Sequence, residues 1–147
     1  MSKTCIYCHI VFATKNRYPA ISMFHRKELY NYIYSILENY KCGVIRIGGV
    51  QDHLHILINL NPTVALSDLV KAIKQSTSIW MKNHPSFPKF EKWQAGYFAG
   101  SVGPDGVNRC KNYIDNQEQH HLGNGFLAEI EWMVTKYEMI WYKDEWE

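Results

Sequence analysis

The stretch from residue 43 to residue 60, GVIRIGGVQDHLHILINL, limits the possible folds of this chain more than any other segment. Apolar residues in its second half alternate along the chain, as they do in a strand that buries one face. These residues are Leu54, Ile56, Ile58 and Leu60. A shorter apolar run at 44–47 precedes them, and either GG or QD supplies the turn. The segment therefore predicts a β-hairpin.

Strand-like and helix-like segments alternate on both sides of this hairpin. The pattern predicts a strand at 4–15, a helix at 22–40, a helix at 63–84, a strand at 93–103, helices at 107–121 and 125–139, and a tail at 140–147. The apolar side of the helix at 63–84 is predicted from Leu66, Leu69, Val70, Ile73 and Ile79. The order β-α-β-β-α-β predicts a ferredoxin-like split βαβ fold of the α+β class. This fold is an antiparallel four-stranded sheet with helices on one face, here followed by C-terminal helices.

Length and composition predict an ordinary globular protein. The 147 residues fit one domain spanning residues 1–147, and 46% of them are hydrophobic against 20% charged. No apolar run reaches about 18 residues, so no membrane span is predicted. Four cysteines are expected to stay reduced in a cytoplasm. Cys5 and Cys8 form a C-x-x-C pair, but strand residues three apart point to opposite faces, which argues against a shared metal.

Charge is distributed unevenly along the chain. Residues 1–111 carry 14 of the 16 Lys and Arg and 6 of the 14 Asp and Glu, a net charge of +8. Residues 112–147 carry a net charge of −6. The first part therefore offers a basic surface to a polyanion, although a solvated surface with one acidic helix explains the distribution equally well.

His53 and His55 share one face of the second hairpin strand, with Cα atoms about 6.5–7 Å apart. Leu54, Ile56 and Ile58 then face the core, so the imidazoles are expected on the open face of the sheet. Two imidazoles at this spacing converge on one metal ion, although such a pair is more often incidental or structural. Two ligands also leave a metal site incomplete. His9, on the first strand, is interpreted as structural.

Tyr113 and Gln117 lie four residues apart on the predicted helix at 107–121, so they share a helix face. The amide oxygen of Gln117 is a suitable third metal ligand. The phenol of Tyr113 lies one turn away and is a candidate nucleophile. A metal beside a phenolate is suited to attack on a phosphodiester.

Four segments in sequence order carry a resemblance to a known family: DHLHILINL, FEKWQAGYFAGSV, YIDNQEQHH and FLAEIEWMVTKY. Together they resemble the small insertion-sequence transposases with a single catalytic tyrosine. These enzymes are HUH nucleases, where U is a bulky hydrophobic residue, and they include the REP-associated tyrosine transposases. The resemblance covers nearly the whole chain.

The resemblance implies a mechanism, a metal site and partners. It implies that His53, His55 and Gln117 bind Mg²⁺ or Mn²⁺, and that Tyr113 cleaves single-stranded DNA with hairpin ends. The tyrosine becomes linked to the 5′ phosphate and frees a 3′ hydroxyl. It also implies a homodimer in which the tyrosine helix of one subunit can complete the histidine site of the other, so both action within a subunit and action across the dimer stay open. A bacterial-type protein associated with the nucleoid is expected.

Two motifs depart from this family, and both bear on DNA contacts. The family's Lys-Gly-Ser-Ser reads here as residues 74–77, KQST, and its Ser-Val-Ser reads as residues 101–103, SVG. Candidate DNA contacts are Lys15, Arg17, Lys71 and Lys74, with a solvated surface as the alternative.

Two other functions remain open from the sequence. The first is a domesticated, non-transposing protein that binds hairpin DNA. The second is a zinc-dependent hydrolase built on the two histidines. The presence of Tyr113 and Gln117 beside the histidine pair argues against the first. The lack of an evident third His, Asp or Glu ligand argues against the second.

Overall fold

The computed structural model describes residues 1–117 and 125–137. The strands are β1 (Tyr7–Ala13), β2 (Gly43–Val50), β3 (His53–Asn59) and β4 (Phe98–Val102). The helices are α1 (Arg26–Asn39), α2 (Leu66–Lys82), α3 (Val107–Asp115) and α4 (Phe126–Lys136), and short 3₁₀ turns occupy Lys15–Arg17 and Pro104–Gly106. Residues 118–121 and 138–139 of the two predicted C-terminal helices, and the tail at 140–147, lie outside the described residues.

The four strands form one antiparallel sheet in the order β2-β3-β1-β4. Strands β2 and β3 are neighbours because they form a hairpin with its turn at Gln51-Asp52. The two longer connections, from β1 to β2 and from β3 to β4, contain helices α1 and α2. Val11 of β1 lies opposite His55 of β3, which places the histidine strand in the interior of the sheet. The predicted ferredoxin-like α+β fold is confirmed.

Helices α1 and α2 cover one face of the sheet. They pack on the strand residues that alternate inward, including Ile10, Phe12, Leu54 and Ile56. Ile73, Thr77 and Met81 of α2 are buried at a spacing of four residues, and Trp93 donates an indole hydrogen bond of 2.9 Å to Thr77. Ile79, predicted on the same side, is 67% exposed because it lies six residues after Ile73, on the opposite side of the helix.

Helices α3 and α4 cover the other face, so the expectation of an open face beside the histidines is wrong. Apolar residues of α4 pack on Val11, Ala13 and Phe98; they are Phe126, Ile130, Met133 and Val134. Helix α3 crosses β2 closely, and a Cβ added to Gly48 would lie only 2.7 Å from Cγ2 of Ile114. This packing buries His53 and His55 completely, at 0% exposure each.

The helices and the cysteines bear on the predictions that the chain has no membrane span and no disulfide. None of the helices in the two described ranges is long and apolar enough to span a membrane. All four cysteines are free thiols; Cys5 lies before β1 and is exposed, whereas Cys8 lies in β1 and is buried.

Candidate active site

His53 and His55 point to the same side of β3 and are each held at Nδ1. Nδ1 of His53 donates to Oδ1 of Asp52 at 2.7 Å. A 2.8 Å hydrogen bond joins Nδ1 of His55 to Nε2 of His9, which lies on the neighbouring strand β1 and is also buried. Both Nε2 atoms therefore face α4 rather than the sheet.

A carboxylate from α4, Glu129, lies between the two imidazoles. Its Oε2 accepts from Nε2 of His53 at 3.1 Å, and its Oε1 lies 2.9 Å from Nε2 of His55. Glu129 is only 7% exposed. A buried carboxylate requires compensating partners, and this one is surrounded by polar groups of the site.

Gln117 contributes an amide oxygen to the same cluster. Its Oε1 lies 3.2 Å from Nε2 of His53, and its side chain is buried. The chain therefore brings His53, His55 and Gln117 together, as the sequence predicted. It adds Glu129, which the sequence reasoning missed.

Tyr113 reaches the cluster from α3. Its hydroxyl donates to Oε1 of Glu129 at 2.5 Å, and its ring stacks on Trp132 at a centroid distance of 5.5 Å. Burial raises the pKa of the Tyr113 hydroxyl well above its usual value, and the hydrogen bond to Glu129 raises it further. Both effects favour the neutral phenol.

Two of the buried histidines, His53 and His9, differ in charge preference. Burial opposes protonation of His53, but hydrogen bonds to Asp52 and Glu129 outweigh it and raise the pKa of His53 to about 9. Burial, followed by the neighbouring His55, lowers the pKa of His9 to about 3. A protonated His53 thus lies within the group of residues that could hold a metal ion.

The spacing of the donor atoms fits a divalent cation. His53, His55 and Glu129 each offer one ligand atom, and these atoms all lie within 4.8 Å of one another. The separations of 2.9, 3.1 and 3.2 Å between imidazole nitrogens and side-chain oxygens are those of hydrogen bonds and ion pairs. Two imidazoles, a carboxylate and an amide oxygen together form a donor set that could hold a metal ion.

A cavity of about 160 Å³ opens beside the tyrosine. Tyr113, Trp132, Arg109 and Lys136 are among its lining residues. Arg109 and Lys136 are exposed, so two cationic side chains line the same space as the phenol. The cavity thus reaches Tyr113 and His9 but is not lined by His53, His55, Gln117 or Glu129, and it offers a cationic lining for an anion.

The other predicted contact residues lie away from this cluster. Lys15 pairs with Glu91 at 2.9 Å, and Arg17 follows it in the same 3₁₀ turn with a positive φ of 56°. Lys71 is exposed on α2. Lys74 donates to the backbone oxygens of Gln94 and Gly96, at 2.9 and 2.5 Å, and burial lowers its pKa to about 8.

Comparison with known proteins points to one family. A sequence profile described as "Transposase IS200 like" matches residues 2–117. Transposases for insertion sequence element IS200 from Salmonella typhimurium and Salmonella typhi are each 26% identical over 125 residues, which is 81% of this chain and 81% of theirs.

Solved structures show the same fold. A transposase candidate from Deinococcus radiodurans has a TM-score of 0.62 and 21% identity, over 79% of this chain and 93% of that one. A REP-associated tyrosine transposase bound to a REP hairpin has a TM-score of 0.63 and 13% identity, over 83% of this chain and 75% of that one. The profile match covers most of the sequence, and the chain therefore belongs to the IS200-like transposase family.

Proposed function

We propose that the chain is a DNA strand transferase that cleaves and rejoins single-stranded DNA at hairpin-marked ends through a phosphotyrosine at Tyr113. The contact that carries this proposal is the hydrogen bond of the Tyr113 hydroxyl to Glu129, whose carboxylate also contacts both histidines. A nucleophile and a cation-binding cluster therefore share one carboxylate. This arrangement is better explained by attack of the tyrosine on a phosphodiester than by a purely structural role of these residues.

His53, His55, Gln117 and Glu129 are the residues that would hold Mg²⁺ or Mn²⁺. The bound ion supplies charge neutralisation at the phosphodiester and lowers the barrier to departure of the leaving oxygen. The imidazole nitrogens favour Mn²⁺ over Mg²⁺, which prefers oxygen ligands. Activity with Mn²⁺ at least equal to that with Mg²⁺ is expected.

Tyr113 carries the covalent step. Its oxygen forms a bond to phosphorus, its proton passes to a neighbouring base or water, and the bond from phosphorus to the 3′ oxygen breaks. The released 3′ oxygen takes up a proton and becomes a hydroxyl, while the 5′ phosphate stays on the tyrosine. Attack by another 3′ hydroxyl reverses these bond changes and joins the strands.

The substrate is expected to reach Tyr113 through the adjacent cavity. Arg109 and Lys136, which line this cavity, would contact phosphates on either side of the cut. Lys15, Arg17 and Lys71 are proposed as more distant contacts to the hairpin. Lys74 is the weakest of these candidates because it already binds two backbone oxygens. The reaction would take place on nucleoid DNA in a bacterial cytoplasm.

Assembly as a homodimer is part of the proposal, and the site suggests how the subunits would work. Tyr113, His53 and His55 come together within one chain, which favours cleavage in cis. Mixing Tyr113→Phe with His55→Ala protein discriminates the alternatives. In cis, the mixture stays inactive. If the tyrosine helix is exchanged between subunits, each mixed dimer contains one intact site and cleavage returns.

The nucleophile is tested with fluorescent single-stranded hairpin DNA and Mn²⁺ on a denaturing gel. The proposal predicts a slow-migrating protein–DNA adduct and a free 3′-hydroxyl fragment. Tyr113→Phe should abolish the adduct while hairpin binding persists, because only the attacking oxygen is removed. An adduct that survives in Tyr113→Phe contradicts the assignment. Hairpin binding without cleavage by the wild-type protein in Mn²⁺ would favour the non-transposing alternative.

A further inference from the structure

His53 and His55 are held in the same way, each by a hydrogen bond at Nδ1. Each imidazole directs Nε2 at Glu129, and each has its Nδ1 in a short hydrogen bond, to Asp52 in one case and to His9 in the other. Neither Asp52 nor His9 contacts the position between the two Nε2 atoms. Their effect on that position must therefore act through the imidazoles.

We propose that His9 and Asp52 are positioning residues that keep Nε2 of both His55 and His53 directed at one divalent cation. This inference rests on the proposed metal site. A histidine that ligates through Nε2 must carry its remaining proton on Nδ1, and that proton needs an acceptor when the ring is buried. Asp52 accepts it from His53. Nε2 of His9 accepts it from His55, which requires a neutral His9 with its own proton on Nδ1.

The surroundings of His9 favour this arrangement. Its ring is 2% exposed and stacks on His55 with a centroid distance of 5.0 Å and an interplanar angle of 27°. This stacking holds Nε2 of His9 at 2.8 Å from Nδ1 of His55. The ring edges of Phe98 and Tyr113 close the remaining sides.

Asp52 is fixed independently by the hairpin turn. Its backbone oxygen accepts from the amide of Thr14 at 2.9 Å and from the Thr14 hydroxyl at 3.2 Å. The turn is thus fastened to the end of β1, the same strand that carries His9. One strand therefore positions both imidazoles, His9 directly and Asp52 through its anchoring.

Mn²⁺ titration calorimetry on the full chain tests this inference. His9→Leu removes the acceptor and is expected to weaken Mn²⁺ binding by about 10–100-fold. His9→Gln restores an acceptor near the former Nε2 and should recover most of the affinity. Val11→Ala is the matched control, since Val11 is buried on the same face of β1. It should lose stability but keep the dissociation constant within about threefold.

Nitrogen-15 NMR of the histidine rings reports which ring nitrogen binds the metal and which carries the proton. A packing defect alone does not change either property. With Zn²⁺ as a diamagnetic probe, wild type should show metal-bound Nε2 and a protected Nδ1–H on both His53 and His55. In His9→Gln the Nδ1–H of His55 should persist, and in Asp52→Ala that of His53 should exchange rapidly.

Two results would overturn the inference alone: Mn²⁺ affinity in His9→Leu equal to wild type, or metal bound through Nδ1 of His55. If His9→Leu fails to fold, the comparison of wild type, His9→Gln and Asp52→Ala by NMR still decides the matter. Failure of the proposed metal site gives a different result from failure of the positioning role alone. Wild-type protein that binds no Mn²⁺, or binds it unchanged in His55→Ala, overturns the metal site itself and the positioning role with it.

Discussion

Substitution of Gly48 by alanine tests whether α3, the helix that carries Tyr113, docks across β2 as described. A Cβ at this position would lie 2.7 Å from Cγ2 and 3.2 Å from the backbone oxygen of Ile114. Both separations are shorter than normal contacts, so α3 must move outward. Added volume in a packed region costs about 1–3 kcal/mol of unfolding free energy.

Gly43 offers a matched control on the same strand. A Cβ there would lie 3.5 Å from Cβ of Asn59, which is an ordinary contact. Both substitutions remove the same backbone freedom from the unfolded chain, so that effect cancels in the comparison. Gly48→Ala should therefore be less stable than Gly43→Ala by about 1–3 kcal/mol in urea unfolding.

Gly48→Ala and Gly43→Ala should also differ in their rates of DNA cleavage. Ile114 follows Tyr113 in the chain, so an outward shift of α3 also displaces the phenol from Glu129. A displacement of about 1 Å can cost about 100-fold in rate. Gly43→Ala should cleave at the wild-type rate in Mn²⁺. Equal stability and equal cleavage in the two variants would refute the docking of α3 on β2.

Three further predictions concern the site and its surroundings. Mn²⁺ at 100 times its dissociation constant should raise the unfolding free energy by about 2.7 kcal/mol in thermal melts; an equal rise in His55→Ala would contradict the ligand assignment. Glu129→Gln should lower the pKa of the Tyr113 hydroxyl in the metal-free protein, because a neighbouring negative charge is removed; ring carbon-13 NMR measures this, and an unchanged or higher pKa would contradict it. Between about pH 8 and 10.5, wild type should gain stability relative to Lys74→Met, because Lys74 has the lower pKa in the folded state and the unfolded chain then binds more protons. Parallel pH profiles of urea unfolding in the two proteins would contradict the last prediction.

The parts of the fold that depend on backbone periodicity followed from the sequence. Alternation along β3 correctly placed His53 and His55 on one face, and spacing of four residues correctly placed Gln117 near Tyr113. Both results rest on local geometry, which the chain fixes within a few residues. Ile79 was assigned to the wrong side of α2 because its spacing of six residues from Ile73 does not match the helical period.

The covering of the histidine face could not be predicted in the same way, since it depends on how α3 and α4 return to the sheet. Glu129 lies 16 residues from Tyr113 in the chain, and no local pattern joins them. One signal was available, however. Glu129 lies within the apolar stripe of α4 formed by Phe126, Ile130 and Met133, where a carboxylate requires a buried partner.

The contact of His9 with His55 was not predicted, for a related reason. A single histidine in a strand carries no pairing information, and its partner His55 lies 46 residues away. Only the antiparallel register of β1 with β3, in which Val11 lies opposite His55, brings the two rings into contact.

The proposed mechanism depends most directly on one divalent cation binding between the imidazoles of His53 and His55 within reach of Tyr113. Anomalous diffraction from crystals soaked in Mn²⁺ measures this position. The predicted result is a single manganese peak about 2.2 Å from Nε2 of both His53 and His55, with an oxygen of Glu129 or Gln117 also bound. Manganese absent from this position, or bound there with the Tyr113 hydroxyl turned away into the protein interior, would contradict the central claim.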